Sequence, residues 1–99
     1  MEEHYPPVEI TYLEDRIVPD NSFDEAYAIY LALSYEPPLA WQDEFHRQME
    51  REVRPRITSF VGPKLRVVIS RKDNLESVLH QMQRLVRKTN ILLDFVGEM

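Results

Sequence analysis

The apolar positions of this chain follow two periods. In "VEITYL" (residues 8–13) Val8, Ile10 and Tyr12 alternate with Glu9 and Thr11, the period-two pattern of a half-buried strand. "EDRIVPDNSFDE" (14–25) then brings Pro19, Asp20, Asn21 and Ser22, a polar turn cluster. In "AYAIYLALS" (26–34) Tyr27, Ile29, Leu31 and Leu33 fall on one side, with Ala26, Ala28, Tyr30, Ala32 and Ser34 on the other. Segregating large from small at period two is what a strand with one packed face requires. A helix competes for this stretch, because Ser22 and Glu25 have capping-box spacing and Ala and Leu are good helix formers. The strand is favoured.

The period changes at "LSYEPPLAWQDEF" (33–45). Pro37 and Pro38 each hold the preceding residue extended, and Pro38 suits the opening turn of a helix, where a missing N–H costs nothing. Trp41, Phe45, Met49 and Val53 then recur at i+4 as one apolar stripe. Asp43 with Arg47, and Glu50 with Arg54, form acid-first pairs away from it. Trp41 heads the buried stripe and reads as a core anchor. Arg54-Pro55-Arg56 closes the helix, and "ITSFV" (57–61) and "LRVVIS" (65–70) form a hairpin turning at Gly62-Pro63.

Asp73 is placed to cap a final helix, with Glu76 as its capping partner. Leu75, Val78, Leu79, Met82, Leu85 and Val86 share one sector, Glu76, His80, Arg84 and Arg87 the other, and Asn90 marks the stop. The tail "ILLDFVGEM" alternates Ile91, Leu93 and Phe95 with Leu92, Asp94 and Val96. It predicts a short fifth strand docked on the domain's own edge or on a second copy. The expected fold is α+β in the order β-β-α-β-β-α: a mainly antiparallel sheet with two helices packed on one face. Residues 8–99 form a single domain behind a flexible lead-in at 1–7. The order hints at a repeated ββα unit, echoed in "LS" (33–34) with "IS" (69–70) and "FHRQM" (45–49) with "LHQMQ" (79–83).

Composition narrows the chemistry. The 99 residues, 43% hydrophobic with ten aromatics, suffice for one core. With no cysteine, disulfides, thiolate metal sites and cysteine nucleophiles are excluded, and a reducing compartment is consistent. "MEEHYPP" has no apolar segment of a signal peptide, and no apolar run spans a bilayer, so a cytoplasmic protein without membrane contact is expected. The net charge of −5 divides unevenly: residues 1–46 hold eleven acids and one base (−10), residues 47–99 eleven bases and six acids (+5).

Motifs for catalysis are missing. His4, His46 and His80 form no His-x-x-x-His pair. Asp20, Ser22 and Asp24 open like an EF-hand loop, but Glu25 stands where glycine is needed and Leu31 where the bidentate acid belongs. Two glycines cannot build a phosphate loop or a dinucleotide fingerprint. His46 lies between Asp43 and Glu50 and His80 follows Glu76, the spacing of helix-surface ion pairs. No cofactor or metal is expected. The expected function is a non-catalytic protein-interaction or self-assembly module, a homodimer above all, docking through Ile91, Leu93 and Phe95. The alternative is a nucleic-acid binder using Arg54, Arg56, Lys64, Arg66, Arg71 and Lys72 around the hairpin. A small enzyme or ligand carrier is the remote third reading.

Overall fold

The computed structural model describes residues 6–97. Strand β1 (Ile10–Asp20) and strand β2 (Ala26–Leu33) form a hairpin that leads into helix α1 (Leu39–Glu50). Strand β3 (Thr58–Phe60) and strand β4 (Lys64–Ser70) form a second hairpin, leading into helix α2 (Leu75–Gly97). The four strands make one antiparallel sheet in the order β1-β2-β4-β3. The α+β order read from the sequence is therefore correct, and 26–33 is a strand.

The core explains the two periods. Ile29, Leu31 and Leu33 of β2 and Leu65, Val67 and Ile69 of β4 pack in one cluster with Trp41, Phe45 and Met49 of α1 and Val78, Met82, Leu85 and Val86 of α2. Both helices thus cover the same sheet face. Two ββα units meet at the β2–β4 seam, and their buried positions correspond. Ile29, Leu31 and Leu33 match Leu65, Val67 and Ile69 at 36 residues' distance, whereas Trp41, Phe45, Gln48 and Met49 match Val78, Met82, Leu85 and Val86 at 37. The "LS"/"IS" echo keeps this register. The "FHRQM"/"LHQMQ" echo, offset by 34, does not, so it carries no structural equivalence.

Several boundaries differ from expectation for identifiable reasons. β1 runs on through residues 14–20, which the polar composition had assigned to a turn; the turn itself is 21–25. Leu13 pairs with Leu31 and Ile17 with Ile29, so Glu14, Asp15 and Arg16 stand opposite Tyr30 alone in a bulge. Helix α1 ends at Glu50, because a helix carried on to Pro55 would set its ring against the carbonyl one turn earlier. Val53 therefore leaves the stripe and is 100% exposed, and Arg47 pairs with Glu44, not Asp43. Asn74, not Asp73, caps α2: its Oδ1 accepts the Ser77 N–H, while Asp73 accepts the Ser70 N–H.

The predicted fifth strand is overturned. Residues 91–97 continue α2 as helix, since Leu93 prolongs the buried Met82–Val86–Thr89 row and packs on the core. Asn90 sits in mid-helix. Its amide is engaged instead: Oδ1 accepts from Val8 N (3.1 Å) and from Trp41 Nε1 (2.8 Å), and Nδ2 donates to Val8 O (2.8 Å). Trp41 is 5% exposed, stacked on Phe45 and edge-on to Phe60, which confirms it as a core anchor.

The two hairpin turns differ in strain. Gly62 takes φ +57° ahead of Pro63, and Val61 N–H bonds Lys64 O at 2.9 Å, the arrangement of a two-residue hairpin turn that glycine accepts freely. Glu25 takes φ +60° at the end of the first turn, where a Cβ is disfavoured. Glu25→Gly is expected to raise stability by about 0.5–1 kcal/mol, read as a higher urea midpoint; an unchanged midpoint would show that the turn carries no such strain.

Candidate functional site

The sheet face turned away from the helices is small in its centre and charged around it. Ala26, Ala28, Tyr30 and Ala32 of β2 lie between Val18 and Asp20 of β1 and Lys64, Arg66, Val68 and Ser70 of β4. The alanines keep β2 low, so long cations of β4 reach across it to carboxylates of β1. Lys64 Nζ lies 2.7 Å from Glu14 Oε2, and Arg66 Nη2 lies 2.5 Å from Asp20 Oδ1. Arg16 bonds Glu14 at 2.9 Å and stacks its guanidinium 3.7 Å above the Tyr30 ring, while Arg66 Nε donates to Tyr30 Oη at 3.3 Å.

Electrostatics follow the contacts. The Lys64 bond, with help from Arg16, holds the Glu14 carboxyl below its ordinary range. Bonds from the Ser22 hydroxyl and from Arg66 hold Asp20 down to about 2. Part of the charge division between the two halves is thus consumed inside one molecule.

The six basic residues read as a strip are divided by the fold. Lys64 and Arg66 lie on the open face, each with a carboxylate partner. Arg56 lies on the helix side, with Nε on Gln81 Oε1 (2.6 Å) and Nη1 on Asp73 Oδ2 (3.1 Å). Gln81 also holds Glu52 and the Arg54 carbonyl, and Arg84 pairs with Glu52, so loop 51–57 is tied to α2. Arg54 sits in that loop, and Arg71 and Lys72 occupy the β4–α2 turn, all exposed.

The tail residues are separated as well. Ile91, 65% exposed, walls an open groove of 460 Å³ between segment 7–10 and α2. Leu93 faces the core, and the Phe95 side chain lies outside the described residues. His4 also lies outside them. His80 is exposed, whereas the His46 ring packs against Phe60 (5.4 Å between centroids) with Nε2 buried and unpartnered, unlike the surface ion pair its spacing implied. Among the described residues no group of three His, Asp or Glu could hold a metal ion, and no helix is long and apolar enough to cross a membrane.

The surface feature that sequence periodicity missed is β1 itself. Tyr12 and Ile17 are each 62% exposed, and Leu13 and Val18 are exposed beside them. By register Leu13 and Ile17 share the helix face with Leu31 and Ile29, while Tyr12 and Val18 share the open face with Ala32 and Ala28. Apolar groups therefore emerge on both faces of this edge strand. The signal was legible in "RIV", an apolar pair inside charged residues, but only strand order reveals an edge. No family model matches the chain, and neither a curated protein nor a solved structure matches it.

Proposed function

We propose that this chain is a non-catalytic protein-interaction module whose docking surface is the margin of the sheet along β1. The observation that carries the reading is the exposure of Tyr12, Leu13, Ile17 and Val18 on the two faces of one edge strand. Large apolar side chains left exposed along a sheet edge favour association with another chain, and the exposed main chain beside them offers hydrogen bonds. The polar side chains nearby support binding over chemistry: Glu14, Arg16, Asp20, Lys64 and Arg66 already bind one another. The nucleic-acid reading ranks second, since Lys64 and Arg66 would have to leave carboxylates to meet phosphates, and Arg56 lies on another side.

A photo-crosslinking amino acid placed at position 12 or 17, in cells producing the protein, tests the docking surface. Protein adducts are expected at both positions and not at Leu39, which is even more open to solvent on α1. Adducts of equal yield at all three positions, or none, would refute it.

A further inference from the structure

The two outer margins of the sheet are unlike in charge and alike in apolar exposure. Along β1 and its turn, residues 9–25 hold six acids and one base, a balance of −5. Glu9, Asp15, Asp24 and Glu25 of these are exposed and have no ion-pair partner among the described residues. Along β3 and the loop before it, residues 51–61 hold three bases and one acid, a balance of +2. Arg51 and Arg54 there are exposed without an ion-pair partner among the described residues, beside Val53 and the half-exposed Ile57 (51%) and Val61 (52%).

We infer that the occupant of the β1 margin is the β3 margin of a second copy, joined head to tail. This rests on the docking reading above and names its partner. A two-fold pairing of β1 with β1 would set the free acids Glu9, Asp15, Asp24 and Glu25 against themselves, and one of β3 with β3 would set Arg51 and Arg54 against themselves; only β1 with β3 brings opposite charges together. Strand sense agrees. Every neighbouring pair in β1-β2-β4-β3 is antiparallel, so β1 and β3 run in opposite directions. Moving a copy sideways without turning it sets its β3 antiparallel beside β1 and continues the alternation. Such a contact uses a different patch on each copy, so association proceeds past two until a ring closes or a chain of copies grows. The bulge at 14–16 and the short β3 limit main-chain pairing to a few residues, which makes side-chain charge a large share of the contact.

Sedimentation equilibrium of the full chain, compared with two charge-reversed variants, tests this. One carries Glu9→Lys and Asp15→Lys, the other Arg51→Glu and Arg54→Glu; all four positions are exposed, and circular dichroism checks that each variant folds. The wild type is expected to exceed two copies as concentration rises and to dissociate in high salt. Each variant alone is expected to associate at least about tenfold more weakly, and an equimolar mixture to recover association, because each then meets an opposite margin. A wild type that stays a single copy, a closed dimer indifferent to the reversals, or a mixture that fails to recover would overturn the inference. Adducts at positions 12 and 17 to a different protein, with no self-association, would overturn it while leaving the docking reading intact.

Discussion

Asn90→Ala is expected to cost about 3 kcal/mol of folding stability, measured by urea unfolding. One amide accepts from the Val8 N–H and the Trp41 indole N–H and donates to the Val8 carbonyl. Removing it strands partners that are buried or nearly so, at about 1–3 kcal/mol each where water cannot replace the bond. Alanine's better helix propensity returns about 0.5 kcal/mol. A double-mutant cycle isolates the indole bond: in a Trp41→Phe background, the cost of Asn90→Ala should fall by about 1 kcal/mol. A cost below about 1 kcal/mol in the wild-type background would mean that this amide does not hold the amino-terminal segment to α2.

The largest single loss is expected at Phe45. Its ring is fully buried, stacked at 5.6 Å on Trp41 and edge-on at 5.4 Å to Phe60. Phe45→Ala removes its transfer free energy and opens a cavity where α1 meets the sheet, together about 4 kcal/mol. For a domain of this size that lowers the melting temperature by roughly 20 °C. Phe45→Leu keeps part of the volume and should cost well under half as much. Equal losses for the two variants would point to a specific aromatic requirement instead of filled space.

The fold was legible where residue size and period agreed. β2 shows this: large side chains on one side and alanines on the other decided for strand, despite helix-forming composition. The reading failed where a short apolar run fits both periods. Ile91–Val96 alternates like a strand, yet Leu93 falls on the helical row already set by Met82, Val86 and Thr89, and propagating a formed helix is easier than starting an isolated strand. Asn90 resembled a stop because asparagine ends helices readily; its reason for standing in mid-helix is a partner 82 positions away in the sequence. Long-range pairs of this kind defined the surface too. The Lys64–Glu14 and Arg66–Asp20 bridges depend on strand order, so two residues of the basic cluster in the sequence are neutralised by carboxylates distant from them in the chain. The exposed margin of β1 was hidden for the same reason, since alternation describes faces and is silent about edges.

The alanines of β2 impose a limit that burial alone does not convey. Ala32 lies directly between Tyr12 and Lys64, and Ala28 between Val18 and Val68, so any longer side chain there would raise a ridge across the path of the bridging cations. Tolerance on this face is therefore governed by height: the Lys64–Glu14 and Arg66–Asp20 bridges add their tie to the β2–β4 ladder only while the alanine positions remain a low sill.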